Sequence, residues 1–167
     1  DIAKDYPDIY IQTFAYTFTL DAPKHIRPAD NVMIRICKLG CEFYPSGKAD
    51  TQFPVSHPRN RDYHDNFVRW AEIAPNLAVW DYWILYTKPY HPPYLNARHV
   101  QEDMQFYRDH HVKTLFVECE AAGQTSFFPF KAWFGLKMMQ DPDQPYEVLA
   151  ERFCKAAHKS WQEHEPE

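Results

Sequence analysis

NLAVWDYWILY, residues Asn76–Tyr86, is a run of apolar and aromatic residues broken by one charge, Asp81. Such content suits a strand, and the run has no polar face. A strand of that kind is covered on both faces, as in the parallel sheet of an α/β protein. Ile9–Phe18, Val32–Phe43 and Thr114–Glu120 share the pattern. Between them lie helical patterns. Asp62–Ala74 sets Tyr63, Phe67, Trp70, Ala71 and Ala74 on one stripe, and Ala97–His111 does so with Val100, Met104 and Tyr107. Ser126–Gln140 and Asp141–Trp161 follow, the latter with Asp143 as a plausible N-cap and Pro145 as an early helical residue. The alternation predicts βαβ units.

The joints are lopsided. Helix-to-strand joints are short, whereas the joints after the strands, such as YPSGKADTQFPVSHPRNR and TKPYHPPYLN, are long and rich in Pro and aromatics. In α/β folds the loops after strand C-termini build the site.

Composition narrows the class. A chain of 167 residues, 45 % hydrophobic, supports one domain over residues 1–167 with a sizeable core. A net charge of −5 and no basic run argue against nucleic acid. No apolar run approaches the roughly 18–20 residues of a membrane helix. The chain opens DIAKDYPDIY without Met and reads as part of a longer protein, with any targeting segment upstream. Cys37 and Cys41 share one predicted strand, about 13 Å apart, too far for a disulfide. With Cys119 and Cys154 they read as core thiols. His57, His64 and His91 show no metal-ligand spacing, His110 and His111 read as structural, and no cofactor or metal is expected.

Three carboxylates fall at strand ends: Glu42, Asp81 and Glu118, with Glu120 close behind. By parity Leu77, Val79, Asp81 and Trp83 share a face. Thr114, Phe116, Glu118 and Glu120 share another, opposite the apolar set Leu115, Val117 and Cys119. Arg35 sits within a buried strand and needs an acid partner; Asp81 and Glu118 are the expected ones. Tyr16, Trp80, Tyr82, Trp83, Tyr86, Tyr90 and Tyr94 surround them. Carboxylates among flat rings suit carbohydrate chemistry, where paired carboxyls supply acid and base or nucleophile.

TFAYTFTLDAPKHIRPADNVMIRIC (13–37), LAVWDYWILY (77–86), NARHVQEDMQFYRDHHVKTLFVE (96–118) and MMQDPDQPYEVLAERFCKA (138–156) resemble a bacterial domain-of-unknown-function family of large secreted glycan-degradation proteins. Its members are similar to α-glucuronidase- and β-hexosaminidase-type (β/α)8 glycoside hydrolases. The resemblance implies four parallel β/α units forming the C-terminal half of a TIM-type barrel. It also implies a secreted, periplasmic or cell-surface setting. The chain departs from the family pattern near Gly40 and Glu42, and carries Cys119 and Glu120 where Gln-Gly is expected.

The expected function is glycosidic-bond hydrolysis or carbohydrate binding by one half of such a barrel, on an oligo- or polysaccharide. Glu118 stands nearest the chemistry, with Asp81 in support. Arg35, Tyr16, Trp80, Tyr82, Trp83, Glu120 and Asn96 shape the pocket. The open sheet edges would be covered by the missing N-terminal half or by self-association. A non-catalytic carbohydrate-binding or scaffold domain is the competing class. An amide- or ester-cleaving barrel has no Gly-x-Ser-x-Gly elbow to support it.

Overall fold

The computed structural model describes residues 2–39, 49–83, 96–119 and 127–162, with side chains up to residue 159. Strands β1 (Ile11–Ala15), β2 (Val32–Cys37), β3 (Leu77–Tyr82) and β4 (Val112–Glu118) form one sheet in the order β1-β2-β3-β4. Every neighbouring pair is parallel. Helix α1 (Arg61–Ile73) follows β2, α2 (Ala97–Asp109) follows β3, and α3 (Phe128–Gln140) and α4 (Tyr146–Gln162) follow β4, whereas only a 3-10 turn separates β1 from β2. The expected α/β class with a parallel sheet is what forms. Glu42, Cys41, Tyr86, Tyr90, His91, Tyr94 and Glu120, singled out above, lie outside the described residues.

Strand ends differ from the sequence reading for local reasons. β1 stops at Ala15 because Thr17 takes a positive φ of 47° and opens a 3-10 turn over Thr17–Thr19. That backbone region is strained for a β-branched residue. β4 starts at Val112, directly after His111 at φ 50°. At α4 the cap is corrected. Leu149 N–H donates to the Pro145 carbonyl at 3.2 Å, so Pro145 supplies the first helical acceptor. Asp143 instead accepts from Arg108 Nη1 at 2.7 Å, tying the α3–α4 turn to α2.

The sheet has two unlike faces. Ala15, Ile34, Ile36, Leu77 and Val79 join the core with Tyr63, Phe67 and Trp70 of α1, Val100, Met104 and Tyr107 of α2, and Phe134 and Met138 of α3. Leu115, Val117 and Cys119 pack against that core from β4, on the helix side expected of them. Strand register places Phe14, Arg35, Ala78 and Thr114 in one row of the other face. Cys37, Trp80 and Phe116 form the next row, and Tyr82 and Glu118 the last. Phe14 and Phe116 there remain 47 % and 42 % exposed. None of this face's aromatic residues belongs to the core.

Side-chain amides hold the connections. Leu20 is buried, and its carbonyl accepts from Trp70 Nε1 and Asn66 Nδ2, both at 2.8 Å. The β1–β2 connection is thereby pinned to α1. After β2, Asn60 Nδ2 donates to the carbonyls of Asp50, Phe53 and Pro54. Satisfying several loop carbonyls through one buried amide removes the cost of leaving them unpaired.

Candidate functional site

The C-terminal strand ends place Tyr16, Cys37, Tyr82 and Glu118 along one edge of the sheet. The strained turn at Thr17 fixes Tyr16. Its N–H donates to Thr19 Oγ1 at 3.1 Å, and that hydroxyl donates back to the Phe14 or Tyr16 carbonyl, at 3.2 or 2.9 Å. Strain of this kind concentrates at ligand-binding positions.

A pocket of about 270 Å³ opens there, lined by Phe14, Tyr16, Cys37, Trp80 and Tyr82. Trp80 is its centre. Its ring lies 5.6 Å from Phe14 and 4.1 Å from Phe116. Its indole N–H donates to Glu118 Oε2 at 2.7 Å, which fixes both the ring and the carboxylate. The Arg35 guanidinium lies 5.9 Å from the rings of both Phe14 and Trp80. Burial pushes the Cys37 thiol up to about 12, with Arg35 opposing and Glu118 reinforcing. Burial likewise raises the Tyr82 phenol. Both groups stay neutral near neutral pH, and Glu118 is the carboxyl group that the described strands bring to this face.

Three larger hollows lie elsewhere: two of about 400 and 430 Å³ by the helices, with no carboxylate among their described lining residues, and one of about 370 Å³ beside Tyr10 and Asp30, before the start of β1 and β2.

The structure separates residues that the sequence reading had grouped. Glu118, Arg35, Tyr16, Trp80 and Tyr82 share the open face. Asp81 does not: it registers with Val117, on the helix side, and is 1 % exposed. Tyr107 of α2 donates its O–H to Asp81 Oδ2 at 3.2 Å, and the Tyr82 N–H donates to Oδ1 at 2.8 Å. The expected Arg35–Asp81 pairing is therefore corrected, because the sheet stands between them. Trp83 is 4 % exposed and packs on Gly135 of α3, so it is core and not pocket wall. Asn96 is also buried, at the N-cap of α2, and is not among the residues that line the pocket.

Behind the sheet Asp81 belongs to a buried polar group. Lys38 pairs with Asp103, whose Oδ1 also accepts the Val55 N–H at 2.6 Å. Burial raises the Asp103 carboxyl against the pull of Lys38. The Tyr63 and Tyr107 phenols are raised by burial first and by Asp81 next. This cluster clamps the loop after β2 to α2.

Phe14, Cys37 and Phe116 were missed as site residues. Strict alternation around Arg35 and Trp80 was the signal that could have found them. Of the cysteines, Cys37 is buried as expected, but Cys154 is exposed on α4. His110 and His111 meet the carbonyls of Phe106 and Ala74, at 2.8 and 3.2 Å. Among the described residues no cluster of three His, Cys, Asp or Glu could hold a metal ion. No described helix is long and apolar enough to cross a membrane.

Residues 1–160 match the family described as "Domain of unknown function (DUF4838)". No curated protein and no solved structure matches the chain.

Proposed function

The chain belongs to the DUF4838 family, and we propose that it binds glycans on the open sheet face, as one half of a glycoside-hydrolase-like (β/α)8 barrel. The observation that carries this reading is Glu118. It stands at the C-terminal end of a parallel strand, held by the Trp80 indole, beside a pocket walled by Tyr16, Phe14 and Tyr82. Flat rings cover the apolar faces of sugars, and a fixed carboxylate accepts hydroxyl protons. Strand order β1-β2-β3-β4 with the core on one sheet face supports a barrel segment. A doubly wound sheet would carry helices on both faces. The remaining strands would come from a longer protein or from a second copy of this chain. A secreted or cell-surface setting follows from the resemblance described above.

A specific observation favours a second reading, non-catalytic binding. Among the described residues Glu118 is the lone carboxylate on the strands of this face, since Asp81 faces the helices. Retaining or inverting hydrolysis takes two carboxyls, about 5–5.5 Å or 6.5–9.5 Å apart. In the hydrolase reading the second carboxyl comes from outside these four strands.

Glycan-array screening followed by titration tests the proposal. Glu118→Gln keeps an acceptor for Trp80 but removes the charge, and should weaken binding by about tenfold, the worth of one charge-assisted hydrogen bond. Binding unchanged in that variant removes Glu118 from the site.

A further inference from the structure

Among the described residues, Arg35 is a charge of the open face with no ion-pair partner. It lies in the middle of β2, in register with Phe14 and Ala78. Its Nε is buried and has no hydrogen-bond partner. No ion pair formed among the described residues includes it.

The two acids expected to serve it are out of place. Asp81 is on the far side of the sheet. Glu118 is taken up by the Trp80 indole N–H at 2.7 Å and forms no ion pair with Arg35. Glu118 is also two strands across. Meanwhile Phe14 and Trp80 flank the guanidinium at 5.9 Å each and hold it on the face that Glu118 and the pocket share. A guanidinium is protonated at every physiological pH, and a partly desolvated one calls for an anion. Its planar fork matches a carboxylate or sulfate with two parallel hydrogen bonds, which a neutral hydroxyl cannot do.

We propose that the open face takes glycans carrying an anionic substituent, a carboxylate or a sulfate, and that Arg35 receives that substituent beside the aromatic pocket. This rests on the glycan reading above and gives it a substrate class. Phe14 and Trp80 serve both parts: they wall the pocket for the sugar ring and fix the guanidinium for the charge.

The test is calorimetric titration of the chain with matched neutral and uronate oligosaccharides in the gluco, galacto and manno series, plus a sulfated counterpart. The expected result is that at least one anionic member binds about tenfold tighter than its neutral match. Arg35→Gln should level the two, Arg35→Lys should keep part of the difference, and added salt should narrow it. Circular dichroism of the variants confirms that they fold. Equal affinity for neutral and anionic partners, or a preference that survives Arg35→Gln, overturns the proposal while leaving neutral glycan binding standing. Absence of all glycan binding overturns the glycan reading as well. Loss of self-association in Arg35→Gln, without change in glycan preference, assigns the guanidinium to an acid of a second copy and also overturns the proposal.

Discussion

Cys37 is a thiol held neutral by its place in the sheet. Burial lifts it from 9.0 to about 12, and the phenols of Tyr63, Tyr82 and Tyr107 are lifted in the same direction. An acid whose folded value is raised loses its proton first in the unfolded chain. Between the unfolded and folded values the native state binds more protons, so stability falls as pH rises. Lys131 runs the other way: burial lowers its amine from 10.5 to about 8, which returns stability over that interval. One amine stands against one thiol and three phenols, so we expect the denaturant midpoint to fall steeply above about pH 10. Cys37→Ala should shallow that decline and leave stability rising toward about pH 10, where Lys131 then acts unopposed by the thiol. A midpoint flat to about pH 11 would refute this. At this scale the sequence was half legible. Parity divides Asp81 from Trp80 and Tyr82, but a partner brought from another element is invisible in it. Tyr107 lies 26 residues from Asp81 and reaches it only because α2 crosses behind β3.

At the scale of elements, helix α3 was read in the right place but not for its packing. Gly135 looks like a flaw in a helix interior. A Cβ added there would collide with Cη2 and Cζ3 of Trp83, whose ring is buried. Alanine normally gains about 1 kcal/mol over glycine in a helix. Here overpacking costs about 1–3 kcal/mol, so Gly135→Ala should lower stability in urea denaturation. A net gain would mean that Trp83 moves aside freely. The strands were legible as unbroken apolar runs, and α1 and α2 as apolar stripes at helical spacing. Their ends were not, since the turn at Thr17 and the cap at Pro145 depend on backbone geometry that composition does not encode. α3 also keeps Leu136 61 % and Met139 43 % exposed on its outer side, an apolar surface more usual for a covered helix.

For the whole molecule the decisive fact is that, among the described residues, β1 and β4 both end the sheet. Ile9, Tyr10 and Ile11 lie 45–52 % exposed at or before the β1 edge, and Phe116 is exposed on β4. Unpaired apolar edges recruit further strands. We therefore expect a sedimentation mass that rises above 19.9 kDa with concentration. A strict monomer at every concentration would show that the edges are protected. Class and strand alternation were legible at this scale, since unbroken apolar runs and lopsided joints announce a parallel sheet. Which face stays open was not, because it depends on where the helices gather. That one-sidedness gives β3 two kinds of tolerance in alternate letters. Leu77, Val79 and Asp81 answer to volume and to Tyr107, so a drifting sequence keeps their size and shape. Trp80, one position over, answers to Glu118, Phe14 and Phe116 of its own chain and to whatever that face meets, so it changes only when all of these can change with it.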